Sequence, residues 1–142
     1  TDDFTGCCTA YGPVSTTLEY ATADYSISRL AGTLGDTTDA STFAQRAANW
    51  QNLFAPDDGL IQQKLANGQF LAGPNPTTEY GYVEGNALQY AWAVPHDLAG
   101  LVAAMGGRTA AVARLDALFM QLNAGPNTPF AWSGNESGFA TP

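Results

Sequence analysis

Four carboxylates of this 142-residue chain lie beside aromatic residues or glycines, in segments with the composition of turns. They are Glu79, Glu84, Asp97 and Glu136. Cleavage of a glycosidic bond needs a protonated carboxyl for the leaving oxygen and a carboxylate base that activates water. Aromatic rings that could stack on a sugar are Trp50, Tyr82, Trp92 and Trp132. The pattern indicates carbohydrate chemistry, although exposed acids are ordinary in an acidic domain and the helical spacing of Trp50 favours a core position.

Glu84 allows two interpretations. It ends a long loop and immediately precedes an apolar segment. As a helix cap, its carboxylate would accept hydrogen bonds from backbone N–H groups. As a general acid, it would have to stay protonated by burial among Tyr82, Tyr90 and Trp92. The residues alone leave both interpretations open.

Other catalytic chemistries have little support. His96 is the only histidine, no serine occupies a GxSxG turn, and the adjacent Cys7 and Cys8 have no base near them in sequence. Two adjacent cysteines do not make a disulfide framework, and a zinc site is disfavoured because His96 is the only other soft ligand. P-loop and dinucleotide-binding fingerprints are also missing from the sequence.

Charge and composition exclude further classes. Five Lys and Arg residues against 13 Asp and Glu residues give a net charge of −8, so we expect no nucleic-acid partner. The 45% apolar content predicts a folded core. No apolar run is long enough for a membrane span, and no secretion signal is visible, so we expect a soluble chain that is already processed or truncated.

The elements that must position these residues are predicted to be helices. Thr16 and Glu19 have the spacing of a capping box, which predicts a helix over 16–33. A turn over 36–41 and apolar residues at helical spacing predict a second helix that stops at Pro56. We expect these two helices to pack as an antiparallel pair.

The second half of the chain alternates loop and helix. Glycines and prolines interrupt residues 60–83, which predicts a long, ordered surface loop. Helical patterns return over 84–94, 98–105 and 109–123. At the start of the second of these, Asp97 and its neighbour His96 are expected to be a cap and a satisfied polar partner rather than ligands.

The predicted fold class is all-α. Antiparallel helix pairs joined by long loops are typical of one sector of a helical toroid, and such a sector leaves helix faces bare on both sides. We therefore expect residues 1–142 to be a fragment of a larger protein. Within it, residues 1–14 are an irregular lead-in and residues 124–142 are loop.

Four sequence strings resemble a known family when taken together. They are VSTTLEYATADYSISRLAGTLG, EYGYVEGNALQYAWAVPHDLAGLVAAMGG, LDALF and GNES. In this order they resemble the calcium-dependent exo-α-mannosidases of glycoside hydrolase family 92, over Val14 to Glu136. The resemblance implies a much longer enzyme with an N-terminal β-sandwich and a C-terminal (α/α)6 barrel. Residues 1–142 would be an inner sector of that barrel, with 124–142 as an active-site loop.

The resemblance also implies an activity. Glu84 would be the general acid of an inverting exo-α-mannosidase that removes terminal mannose from mannose-rich glycans such as N-glycans and mannan. The aspartate base would belong to a later motif that this sequence does not contain. The remainder of the same polypeptide would therefore be a partner of the segment, and a secreted, extracellular enzyme is expected.

Calcium is the implied cofactor. It prefers six to eight oxygen ligands, which four scattered carboxylates do not provide, so most ligands are expected outside this segment.

The GNES string implies further substrate contacts. In the family's related motif a residue pair contacts sugar hydroxyls around the leaving-group subsite, and this role passes to Asn135 and Glu136. Ser137 replaces the family's proline, and Asn135 replaces the histidine of α-1,2-cleaving members. Mannose linked through phosphate to mannose is therefore an alternative substrate. A non-catalytic carbohydrate-binding all-α module and a plain all-α interaction domain are the remaining alternatives.

Overall fold

The structure, a computed structural model, describes residues 12–71, 75–135 and 138. These residues are mostly helical, which confirms the predicted all-α class. The α-helices are α1 (Pro13–Leu34), α2 (Thr37–Ala47), α3 (Ala87–Tyr90), α4 (Leu98–Ala104) and α5 (Arg108–Leu118). Among the described residues, 3-10 segments span Ala48–Leu53 and Pro95–Asp97. A small antiparallel sheet pairs β1 (Phe54–Ala55) with β2 (Leu60–Ile61).

The first helix begins earlier than the sequence predicted. Extended Gly12 precedes Pro13, which occupies the first helical position, where its fixed φ and missing N–H cost nothing. The predicted capping box of Thr16 and Glu19 is therefore wrong, because both residues lie inside the helix. The helix ends at Gly35, whose φ of 84° is in the left-handed region that glycine adopts freely.

Helices α1 and α2 form the expected antiparallel pair. Ser28 donates to the Ala40 carbonyl at 2.7 Å, and Arg46 Nε donates to Asp24 Oδ2 at 2.9 Å. The later residue of α1 therefore contacts the earlier residue of α2, so the two helices run in opposite directions. The Asp24 side chain is 7% exposed, and the half-exposed Arg46 neutralises it. The predicted turn over 36–41 is wrong apart from its first residue, because Asp36 caps a helix that has already begun at residue 37.

His96 lies in the 3-10 segment Pro95–Asp97 and connects this segment to α1 and to the end of α2. Its Nε2 lies 3.0 Å from the Ala47 carbonyl and its Nδ1 lies 3.3 Å from Thr22 Oγ1. Asp97 accepts from Gly100 N at 3.0 Å and caps α4. Both residues therefore have the structural roles that the sequence favoured.

The core lies between the start of α1, the small sheet, α3 and α4. Its fully buried large side chains include Trp50, Leu18, Ile61, Leu101, Val14 and Val94. The predicted surface loop over 60–83 is wrong at both of its ends, because Leu60, Ile61 and Tyr82 are buried. Tyr82 donates its hydroxyl to the Ile61 carbonyl at 2.5 Å and ties the end of this loop to its beginning.

Two of the later helices are shorter than their sequence patterns. The pattern over 84–94 yields one α-helical turn, α3, and the pattern over 109–123 yields α5, which ends at Leu118. Among the described helices none is long and apolar enough to cross a membrane alone. Pro95–Ala104 and Arg108–Leu118 satisfy that test only as a pair, and they bend by 112°.

Candidate active site

Glu84 is exposed and lies in the loop immediately before α3. Its φ is 53°, in the left-handed region, and among the described non-glycine residues only Asn123 shares a positive φ. An L-residue costs about 1–2 kcal/mol in this region. Such strain persists where the surrounding structure enforces it, and it concentrates at functional sites.

Both backbone polar groups of Val83, the residue before Glu84, are hydrogen-bonded to side chains. The Val83 N–H donates to Ser15 Oγ at 2.9 Å, and Ser15 is itself buried near the start of α1. The Val83 carbonyl accepts from the Tyr90 hydroxyl at 2.8 Å and from Asn135 Nδ2 at 2.8 Å. Side chains from three separate parts of the chain therefore set the position of the Glu84 backbone.

Asn86 is the cap of α3. This fully buried residue accepts from Leu88 N at 3.0 Å and from Gln89 N at 3.3 Å. The interpretation of Glu84 as the helix cap is therefore wrong, because Asn86 fills that position two residues later. Gly85 between them is closely packed, since a Cβ there would lie 3.0 Å from the Tyr90 ring and 3.1 Å from Gln89 Oε1.

The side-chain amides of Asn86 and Gln89 also hold the loop over 124–131. Both residues are buried, and their nitrogens donate to backbone carbonyls of that loop. The acceptors are Pro126 at 2.6 Å and Thr128 at 2.8 Å for Asn86, with Gly125 at 3.1 Å and Phe130 at 2.9 Å for Gln89. The motif EGNALQ therefore combines one exposed carboxylate with two buried structural amides.

The predicted aromatic surroundings of Glu84 are different in the structure. Tyr82, Tyr90 and Trp92 are buried while Glu84 is exposed, so within the described residues these rings do not cover the carboxyl, and the burial required by the general-acid interpretation stays a prediction. Trp50 is a core residue. Of the four aromatics named for stacking, only Trp132 is partly accessible, and it lines a cavity of about 270 Å³ beside Phe119.

Tyr82 is a neutral hydrogen-bond donor beneath this site. Burial raises the pKa of Tyr82 well above its ordinary value, and the negative charge of Asp58 raises it further. Its hydroxyl therefore keeps the proton that it donates to the Ile61 carbonyl. This bond stabilises the loop that leads to Glu84.

The remaining predicted site residues have other surroundings. The amide of Asn135 is buried and contacts the backbone before Glu84, and Glu136 lies outside the described residues, as do Cys7 and Cys8. Glu79 is exposed and accepts from Asn127 Nδ2 at 2.7 Å. The substrate contacts assigned to Asn135 and Glu136 stay predictions.

Ser15, Asn86 and Gln89 were not predicted as site residues, and Tyr90 was named only as a ring that could bury the Glu84 carboxyl. An asparagine directly before ALQY is a helix-cap signal and could have identified Asn86. Within the described part of the chain, no three His, Cys, Asp or Glu residues lie close enough together to hold a metal ion.

A helical domain that holds an exposed carboxylate on a rigid, strained turn fits a glycoside hydrolase. The model of the glycosyl hydrolase family 92 catalytic domain matches residues 5–142, and the chain belongs to this family. This confirms the resemblance inferred from the sequence motifs.

Solved structures and one curated protein are similar to the chain. An α-mannosidase of this family from Bacteroides thetaiotaomicron has a TM-score of 0.77 and 33% identity, over 88% of this chain and 17% of that one. An inverting mannosidase from the same organism has a TM-score of 0.71 and 32% identity, over 92% and 18%. An uncharacterized secreted glycosidase of Arthroderma benhamiae is 28% identical, over 96% of this chain and 20% of that protein.

The chain spans about a fifth or less of the length of these relatives. The structural matches agree with the predicted fold class, a partial helical toroid within a family 92 enzyme.

Proposed function

We propose that this chain forms part of an exo-acting, inverting α-mannosidase and that Glu84 is its general acid. Membership of family 92 and the mannosidases among its structural relatives support a glycosidase acting on mannose. One observation carries the assignment to Glu84. It is an exposed carboxylate on a left-handed backbone, and the side chains that bond that backbone are buried and uncharged.

The proposed reaction divides the work between two carboxyl groups. Glu84 would donate its proton to the leaving oxygen as the glycosidic bond breaks. A carboxylate base would activate water on the opposite face of the sugar, about 6.5–9.5 Å from the acid. We place this base in another part of the polypeptide, because the base motif of the family is missing from this sequence.

Calcium belongs to the proposal only as a requirement of the whole enzyme. The described residues do not provide the carboxylate cluster of a calcium site, because no three His, Cys, Asp or Glu side chains among them lie together. Any calcium ligands would therefore lie mainly elsewhere in the polypeptide.

The proposed substrate is the terminal mannose of a mannose-rich glycan, and the proposed location is extracellular, like that of the secreted glycosidase relative. The phosphate-linked alternative, which depended on Asn135, Glu136 and Ser137, stays a second proposed substrate, because Glu136 and Ser137 lie outside the described residues. A binding module without turnover is disfavoured, since Trp50, Tyr82 and Trp92 are too buried to stack on a sugar and only Trp132 of the four named aromatics is partly accessible.

Replacing Glu84 with Gln in the full-length polypeptide tests the proposal. The amide keeps the size of the side chain but has no acidic proton, so kcat for α-mannobiose should fall by about 10²–10⁴-fold. An aryl α-mannoside with a good leaving group needs less protonation and should lose far less. Steady-state kinetics on the two substrates measures the difference.

Glu79→Gln is the matched control, because Glu79 is an exposed glutamate of the preceding loop whose bond partner is Asn127. It should leave both rates unchanged. Wild-type turnover of α-mannobiose by the Glu84→Gln enzyme would refute the assignment of the acid.

A further inference from the structure

Asn135 contacts the acid-bearing turn through its side-chain amide. We propose that Asn135 is a positioning residue, which fixes the backbone of Glu84 and makes no contact with substrate through its amide nitrogen. This inference rests on the proposed role of Glu84 as the general acid. It changes the function of Asn135 from a substrate contact to a support of the catalytic group.

The donor capacity of this amide is fully used inside the protein. Asn135 is 5% exposed, and its Nδ2 lies 2.8 Å from the Val83 carbonyl, 3.0 Å from the Tyr90 hydroxyl and 3.3 Å from the Glu84 carbonyl. An amide nitrogen carries two N–H groups. With three protein acceptors around it, no N–H is left for a sugar hydroxyl.

The contacts lie where they can control the conformation of Glu84. The carbonyls of Val83 and Glu84 are on either side of the φ and ψ rotations of Glu84, so an amide that binds both restrains that residue. The restraint is needed because a φ of 53° costs a glutamate about 1–2 kcal/mol relative to a right-handed conformation. Releasing it would let the carboxyl move away from the leaving oxygen.

Tyr90 belongs to the same network. Its hydroxyl donates to the Val83 carbonyl at 2.8 Å and lies 3.0 Å from Asn135 Nδ2. Val83, Tyr90 and Asn135 thus form a closed triangle of hydrogen bonds. Loss of either side chain should disturb the same carbonyl, so the two effects should not be independent.

The test uses Asn135→Asp, Tyr90→Phe and the double variant in the full-length polypeptide. Aspartate keeps the shape of asparagine but, when ionised, cannot donate to the two carbonyls. Phenylalanine removes only the hydroxyl, so it tests the same triangle even if Asn135→Asp does not fold. Asn52→Ala is the control, because Asn52 is an exposed amide bonded only to its neighbour Asn49 among the described residues.

The readouts are kcat and KM for α-mannobiose and for aryl α-mannosides of graded leaving-group acidity. A misplaced acid should lower kcat for α-mannobiose by up to about 100-fold, change KM little and steepen the dependence on the leaving group. The double variant should lose less than the product of the two single losses. A purely structural role would lower the amount of active enzyme without changing the leaving-group dependence.

Parallel assay of Glu84→Gln separates two kinds of failure. If Glu84→Gln is inactive on α-mannobiose but Asn135→Asp and Tyr90→Phe keep the wild-type leaving-group dependence, the positioning role is refuted and the general acid stands. A loss confined to KM in Asn135→Asp, with wild-type kinetics in Tyr90→Phe, would also overturn the proposal in favour of a substrate contact. Full activity of Glu84→Gln would instead refute the proposed function.

Discussion

The left-handed backbone of Glu84 leads to a prediction about the local stability of the turn before α3, which is separate from catalysis. Replacing Glu84 with Ala removes the carboxylate but keeps the strain, because any residue with a Cβ clashes in this conformation. Replacing it with Gly removes both. Both variants should be inactive on α-mannobiose, yet the Gly variant should hold the turn before α3 more firmly than the Ala variant.

The magnitude follows from two opposing contributions. Relief of the left-handed conformation favours Gly by about 1–2 kcal/mol. The greater backbone freedom of Gly in the unfolded state opposes it by about 0.5–1 kcal/mol. The midpoints of these two ranges differ by about 0.75 kcal/mol, which corresponds to a change of about three- to fourfold in an opening equilibrium.

Hydrogen exchange measured by mass spectrometry on the peptide that contains α3 reports this local equilibrium. Its amides should exchange about three- to fourfold more slowly in Glu84→Gly than in Glu84→Ala. At Glu79, which has no positive φ, the same pair of substitutions should give the opposite order. Equal or faster exchange in Glu84→Gly would refute the argument that the surrounding structure imposes strain on this residue.

Two further predictions concern alkaline pH and calcium. Burial raises the Tyr82 pKa in the folded state, so as the pH rises the phenol of the unfolded chain loses its proton before that of the folded chain. The contribution of Tyr82 to the free energy of unfolding is therefore fully present below about pH 10 and is lost progressively above it. In urea titrations, Tyr82→Phe should lose less free energy of unfolding between about pH 10 and 11 than the wild type, and equal losses would contradict this. Excess chelator should abolish mannobiose hydrolysis by the full-length polypeptide and added calcium should restore it, whereas full activity in chelator would remove the metal from the proposal.

Local signals in the sequence predicted the parts of the fold that depend on neighbouring residues. Gly35 ends α1 because it tolerates a positive φ, and Asp97 caps α4 through an N–H three residues away. The prediction of a helix over 84–94 was wrong in length, because the pattern on which it rested shows only the spacing of apolar residues. Tertiary contacts of Asn86 with the loop over 124–131 fix where α3 begins, and only one turn follows.

The candidate site could be predicted only in part for a related reason. Glu84 was found because its motif is contiguous. Its supports come from positions 15, 90 and 135, and two of these lie 68 and 52 residues away from Val83 in the chain. Spacing patterns do not reach that far, so Asn135 was interpreted from its own motif as a sugar contact, and its contact with Val83 became visible only in the folded chain.

The chemical character of these supports explains how one turn can be held rigidly without a charged side chain bonded to its backbone. The side chains that bond to Val83 and Glu84 are a hydroxyl from Ser15, a phenol from Tyr90 and an amide from Asn135, and all three are neutral. A lysine or arginine in place of Tyr90 or Asn135 could donate to the same carbonyls, but its charge would favour the ionised form of a nearby carboxyl. Neutral donors bind the backbone carbonyls without adding such a charge. The proposed acid therefore gains a fixed position from this network without gaining a permanent ionic partner.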